Sequence, residues 1–298
     1  MRPGGVTPVL FRRIAGLLRE RAGMELGEDK LYLLETRLPP VLRRFGLRDY
    51  EDLARALDRG PEPALLDSLI EVMTTNETLF FRDLRPFRFL SERVLPEIAA
   101  RNAATRRLRI WSAAASTGQE AYSLAICVEE QKSLFPGWQI EILGTDISSE
   151  AIAAAERGVY TQFEVQRGLP TRYLVRYFTQ EGTSWRVRDS LRRLVRFARH
   201  NLLDSPARFG RFDVVFLRNV LFYMDAPARR RVLDHVAACL LPGGYLFLGA
   251  TESLRESVPL ERLPDQHAIF RRAESCAPAP RSTAASAAPS SGAVQLVG

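Results

Sequence analysis

Several short stretches of this chain hold polar residues in patterns that could do chemistry. Ala113-Ala114-Ala115-Ser116-Thr117-Gly118-Gln119-Glu120 is a run of small residues opening into a helical pattern. Small side chains let a ligand approach the backbone, and a helix start offers unpaired amide donors. The run lacks a GxGxxG pattern, so it is no dinucleotide fingerprint, and it would serve equally well as a tight strand-to-helix turn. Thr145-Asp146-Ile147 puts an acid where ribose hydroxyls could donate to it. Asp146 could instead cap the next helix, a task also open to Ser148 or Ser149. Arg218-Asn219 and Asn201-Leu202 are polar strand ends suited to an adenosine or substrate group, or else ordinary loops. A small-residue loop after one strand and an acid after the next make a nucleoside-ligand constellation, more specific than either part. Finally, Thr74 to Arg82 (TTNETLFFR) mixes polar and bulky apolar residues. Arg82 could form a bidentate pair with a carboxylate. Composition alone favours a linker whose aromatics dock on the core.

These residues need elements to position them. Leu108–Ala113 reads as a short apolar strand, Gln119–Glu130 as an amphipathic helix, Ile140–Gly144 as a second strand and Ser149–Arg157 as a second helix. That alternation predicts a parallel sheet covered by helices, with ligands at the C-terminal ends of the strands. It resumes with a strand at Phe212–Leu217 and a helix at Pro227–Leu241, ended by Pro242-Gly243-Gly244. Strands follow at Tyr245–Gly249 and His267–Arg271. The stretch between, about 160–197, sets Tyr173, Tyr177, Phe178 and Trp185 among arginines, with a turn at Gly182–Ser184, and reads as a small antiparallel insertion. Residues 1–75 read as all-helical, interrupted at Pro39-Pro40 and turning at Gly60–Pro63. The expected fold class is therefore α/β: a sheet domain over 76–273 carrying a small antiparallel β-insertion, preceded by a helical domain over 1–75. Residues 274–298, rich in Ala, Pro and Ser, read as a disordered tail.

The 298 residues are 46% hydrophobic and 26% charged, ordinary for a globular chain with a sizeable core. No apolar run is long enough for a membrane helix, and no secretory leader is expected. Cys127, Cys239 and Cys276 are scattered, so neither a disulfide framework nor a metal site is expected, and the reading is a reducing cytoplasm. The net charge of +7 fits a nucleic acid, an acidic protein partner or merely a solvated surface. Residues 1–75 are neutral, with 12 basic and 12 acidic side chains, although Arg37, Arg43, Arg44 and Arg48 cluster there. Residues 171–200 hold eight arginines against Glu181 and Asp189.

TTNETLFFR (74–82), WSAAASTGQEAYSLA (111–125), GTDIS (144–148), NLL (201–203), FDVVFLRNVLFYMD (212–225) and LPGGYLFLGATESL (241–254) occur in this order. Together they resemble the chemotaxis-receptor glutamate methyltransferase (CheR) family, from about residue 10 to 273. The resemblance implies a Rossmann-like S-adenosylmethionine-dependent methyltransferase domain with a β-insertion behind an all-helical domain. It implies a methyl transfer to glutamate carboxylates of chemoreceptors, giving methyl esters and S-adenosylhomocysteine. Asn76, Thr78, Arg82, Glu120, Asp146, Asn201, Leu202, Arg218 and Asn219 match the cofactor contacts, and Arg82 and Tyr223 the residues nearest the transferred methyl. Gln119-Glu120-Ala121-Tyr122 stands where the family often has Glu-Glu-Pro-Tyr, Leu217 where cysteine is frequent, and Thr251 where a serine precedes Glu252; none removes a carried-over ligand. A carboxylate is ionised near pH 7, so the reaction needs no general base and no metal. Arg82 would neutralise and place a carboxylate, and Tyr223 would orient the reacting groups. Arg37, Arg43, Arg44 and Arg48 could steer the acidic helices of the receptor's cytoplasmic methylation region. The short Gln180–Ser184 link weighs against docking of a receptor C-terminal peptide, since family members that do so carry a longer loop. A methyltransferase acting on RNA fits the charge but lacks a basic-aromatic platform for stacking bases, so no nucleic acid is expected. A non-catalytic binding module is the other alternative, opposed by the retained Arg82, Glu120, Asp146 and Tyr223.

Overall fold

The computed structural model describes residues 5–274, and the expected tail from 275 onward lies outside them. The N-terminal part is helical because its apolar residues recur on single faces. Thr7 caps Pro8–Ala22 by accepting the Leu10 amide on its hydroxyl, and Gly23, at φ +68°, ends that helix in the left-handed conformation. The buried stripe Leu10, Ile14 and Leu18 meets Leu34 and Leu38, then Leu53, Leu57, Leu65 and Leu69 from later helices. Pro39 opens a new helix, Pro39–Arg44, directly after Leu31–Arg37.

Ten strands follow in the described residues: β1 (Arg107–Ser112), β2 (Gln139–Asp146), β3 (Val159–Thr161), β4 (Phe178–Glu181), β5 (Ser184–Val187), β6 (Val195–Arg199), β7 (Phe212–Leu217), β8 (Leu240–Leu248), β9 (Leu260–Arg262) and β10 (Ile269–Arg272). The main sheet has the order β6-β2-β1-β7-β8-β10-β9. Its first five members are parallel, and β10 and β9 are antiparallel additions. From β1 the chain steps one way to β2 and β6, then reverses to β7. That reversal is the switch point where open α/β sheets bind ligands. Helices Gln119–Glu130 and Ser149–Arg157 form over the expected spans, the first buried on all faces from Gln119 to Val128 rather than amphipathic, and β7 is buried at every position, as its unbroken apolar run requires.

The structure departs from the sequence reading first in the insertion, where Tyr173 and Tyr177 lie on a helix, Thr171–Tyr177, rather than on strands. The antiparallel sheet has the order β3-β5-β4 and ends at Val187, whereas β6 pairs in parallel with β2 from Ile142↔Val195 to Asp146↔Arg199. The insertion is therefore shorter than 160–197, because Val195 and Phe197 find partners in the main sheet. Second, Pro242-Gly243-Gly244 does not end the preceding helix. That helix, Ala226–Cys239, stops at an extended Leu240 that already pairs with Phe212, and the Pro-Gly-Gly run lies within β8. An added Cβ at Gly244 would stand 3.0 Å from the Asp213 carbonyl oxygen, so close strand packing explains this glycine.

The helical part is stitched to the sheet's C-terminal rim. Met24 bridges Met224, the Glu25 amide donates to Tyr223 O at 2.8 Å, and Arg19 pairs with Asp225 at 2.7 Å. Glu71 accepts from Ser148 Oγ and the Glu150 amide, and Arg199 pairs with Asp67. Among the described residues, no helix is long and apolar enough to cross a membrane.

Candidate active site at the switch point

A cleft of about 960 Å³, counting its open mouth, lies over the C-terminal ends of β1, β2, β6 and β7. The structure brings every expected site residue to it: Asn76, Thr78, Arg82, Glu120, Asp146, Asn201, Leu202, Arg218, Asn219 and Tyr223 all line it. Met24 and Ala22 of the helical part close one side.

The loop after β1 is shaped for close approach. Ser116 sits at φ +49° and donates its amide to Asp146 Oδ2 at 2.8 Å, while its hydroxyl donates to Asn76 O at 2.8 Å. Gly118 follows at φ +97°, where a Cβ would stand 2.9 Å from that of Ala155, so only glycine fits there. Asp146 accepts a second amide, from Ser148, at 3.0 Å. Its burial pushes the carboxyl up while those amides pull it down. Each carboxylate oxygen accepts one of these amides and retains capacity for a further hydrogen bond.

Glu120 and Arg218 form the back wall. Arg218 Nη1 donates to Glu120 Oε2 at 3.0 Å, and Nη2 donates to Asp83 Oδ2 at 2.6 Å and to Arg82 O at 2.9 Å. Ser112 Oγ donates to the other oxygen of Glu120 at 2.8 Å. Burial pushes the Glu120 carboxyl above its ordinary value, against the pull of Arg218 and Ser112. The same Arg218 contacts brace a strained corner: Phe81, Asp83 and Leu84 all have positive φ, at 51°, 69° and 46°. The Phe81 amide donates to Ser123 Oγ, and Phe80 and Phe81 pack edge-on or stacked against Tyr160, Phe178, Phe87 and Tyr173. The aromatics of TTNETLFFR thus dock on the core and turn Arg82 toward the cleft.

The site residues divide into committed and uncommitted groups. Asn201 spends its amide on Arg21 O and its carbonyl on the Leu203 amide, and both Nη groups of Arg218 are taken by the wall. Arg82, by contrast, donates only to Glu77 O, at 3.2 Å, and meets no carboxylate among the described residues. The Tyr223 hydroxyl has no protein partner among them either; the residue is 36% exposed, its ring 4.2 Å from that of Phe222. The proposed steering cluster divides likewise. Arg37 donates to Val72 O, Met73 O and Thr74 O, capping the helix Pro63–Met73, and Arg48 is held by Asp52. Arg43 and Arg44 alone of the four are exposed without a carboxylate partner among the described residues.

Sequence reasoning missed three residues that build the site. Ser116 lay inside a flagged run, and Asp83 directly follows Arg82. Glu252 gave no spacing signal; it accepts the amides of Asn219, Val220 and Leu221 from a distant loop.

The chain has close relatives. Residues 76–268 match the CheR methyltransferase, SAM binding domain, and residues 10–74 the CheR methyltransferase, all-alpha domain. A "Chemotaxis protein methyltransferase" of Vibrio anguillarum is 40% identical over 247 residues, 82% of this chain and 89% of that one. "Chemotaxis protein methyltransferase 1" of Pseudomonas aeruginosa is 40% identical over 267 residues, 88% and 94% of the two chains. "Chemotaxis protein methyltransferase Cher2" of Pseudomonas putida is 38% identical over 265 residues, 88% and 94%. With both family domains matched in order over a cleft that gathers the expected residues, this chain belongs to the CheR methyltransferase family, whose cofactor is S-adenosylmethionine.

Proposed function

We propose that the cleft methylates glutamate carboxylates in the cytoplasmic methylation region of chemoreceptors, as the chemotaxis methyltransferase relatives suggest, and that the protein works in the cytoplasm. S-adenosylmethionine, when bound, supplies a methyl group on a positively charged sulfur and leaves as S-adenosylhomocysteine. The residues present suit it. The small-residue loop and Gly118 leave room beside the backbone. Asp146, held by the Ser116 and Ser148 amides, keeps acceptor capacity for ribose hydroxyls. Among the residues lining the cleft, the carboxylates of Glu77, Glu120 and Asp146 outnumber the guanidinium groups of Arg82 and Arg218, which favours a cationic ligand.

The observation that carries the reading is the uncommitted pair at this cleft. Arg82 is free to take a substrate carboxylate in a forked pair, and the Tyr223 hydroxyl is free to orient it. A carboxylate ionised near pH 7 attacks without a base, so these side chains contribute placement and charge. Asn201 would contribute through its backbone, since its side chain is engaged by Arg21 O of the first helix and by the Leu203 amide. Arg43 and Arg44 remain to steer acidic receptor helices. The hairpin joining β4 to β5 turns through only Gly182 and Thr183, so tethering by a receptor C-terminal peptide is not part of this reading.

Kinetics of Arg82→Ala and Tyr223→Phe test it. Arg82→Ala should cost roughly 10²–10³ in turnover, and Tyr223→Phe roughly tenfold to a hundredfold. S-adenosylhomocysteine affinity and melting temperature should stay near the parent's for Tyr223→Phe. Normal turnover in both variants removes the assignment.

A further inference from the structure

Glu252 lies on the loop after β8, outside the residues that line the cleft, yet its carboxylate organises one wall of it. Oε2 accepts the amides of Gly249 at 2.7 Å and Asn219 at 2.8 Å, and Oε1 those of Val220 at 2.9 Å and Leu221 at 2.8 Å. The residue is 4% exposed, and no arginine or lysine among the described residues pairs with it. A buried carboxylate without a cation persists only where amides replace its hydration, and four do so here. The turn it holds carries Asn219 in the left-handed region, at φ +58°. That turn runs directly into Leu221–Tyr223, where the Tyr223 amide donates to Val220 O. The far end of the ledge is pinned by the Glu25 amide on Tyr223 O.

We infer that Glu252 is a positioning residue for the methyl transfer: its two oxygens fix the Asn219–Leu221 turn and thereby hold the Tyr223 hydroxyl in the cleft. The inference rests on the catalytic reading of Tyr223. Glutamine at 252 keeps the shape but sets an NH₂ group against two of the four amide donors, so the turn must shift. Displacement of a reacting group by about 1 Å can cost on the order of a hundredfold in rate. Gly249→Ala reaches the same contact without altering the carboxylate, because its Cβ would stand 2.7 Å from Glu252 Oε2 and 2.8 Å from Asn219 Nδ2.

The test is a double-mutant cycle on the full chain, with receptor cytoplasmic fragment and S-adenosylmethionine. Glu252→Gln should lower kcat on the order of tenfold to a hundredfold in the parent. It should lower it by less than about threefold in a Tyr223→Phe background, where the hydroxyl it positions is already gone. Glu252→Asp, which keeps the charge and two acceptor oxygens, should recover part of the loss. If Glu252→Gln fails to fold, Gly249→Ala carries the same cycle. An equal kcat loss in both backgrounds, or a parent-like kcat, overturns the role of Glu252 alone. Normal turnover in Tyr223→Phe overturns the reading of Tyr223 and this inference with it.

Discussion

Replacing Arg218 with methionine leaves Glu120 a buried carboxylate without its cation. The Arg218 side chain is 1% exposed and donates to Glu120 at 3.0 Å and to Asp83 at 2.6 Å. Removing one partner of a buried pair costs about 3–5 kcal/mol, because the other charge stays desolvated. The structure points to the lower end. Glu120 keeps the Ser112 hydroxyl at 2.8 Å, and the Asp83 side chain, 39% exposed, can turn to water. A loss of about 3 kcal/mol is expected near pH 7. Burial already holds the Glu120 carboxyl above its ordinary value, and loss of Arg218 raises it further. An acid whose folded-state pKa is raised disfavours the fold when ionised, so the deficit is greatest at high pH and shrinks as pH falls toward the unfolded value. The slope between about pH 7 and about pH 5 can reach ~1.4 kcal/mol per pH unit. Urea unfolding of parent and variant across that range measures it. Adding Glu120→Gln to Arg218→Met should restore about 1–2 kcal/mol at pH 7. A deficit independent of pH, or no recovery in the double variant, would refute the buried-pair account.

Three further outcomes are expected. His200 is 4% exposed, packed against Trp111 and Phe209, and its pKa is pushed down to about 4 by burial and by Arg208. The neutral ring thus adds stability above the unfolded pKa, lost as pH falls from 6.5 through about 4. The loss amounts to as much as ~3 kcal/mol, and His200→Phe should flatten this part of the curve in pH-dependent melts. Reversing Arg43 and Arg44 to glutamate should lower kcat/KM for the receptor roughly tenfold at low salt, with the effect fading as salt rises. Arg37→Ala should instead lower stability by about 1–2 kcal/mol in urea titration and leave that salt dependence intact, because Arg37 is spent on three carbonyls at the end of Pro63–Met73.

Periodic features were the legible ones. Gln119–Glu130, Ser149–Arg157 and Phe212–Leu217 carry their own patterns and form where those patterns say. Elements decided by pairing were not. Pro242-Gly243-Gly244 has the chemistry of a helix stop, but Leu240 pairs with Phe212 first. Val195 and Phe197 look like part of the arginine-rich insertion, and only the neighbouring β2 edge recruits them to the main sheet. In the site, residue types at strand ends located the cleft, yet they could not say which side chains were free. Asn201 and Arg37 are spent on distant carbonyls, 180 and at least 35 positions away in sequence. Glu252 reaches Asn219 across 33 positions, a relation no local spacing encodes. The contribution of the helical part, through Met24 and Glu25 at the Tyr223 ledge, is tertiary in the same sense.

The most direct test follows a labelled methyl group. The full chain is incubated with methyl-labelled S-adenosylmethionine and a receptor cytoplasmic fragment, and the product is treated with mild base. The account predicts label on the fragment that is released as methanol, at parent rates for the unaltered chain and nearly absent with Arg82→Ala. Label that resists base, or that appears on RNA and not on the receptor, would contradict it.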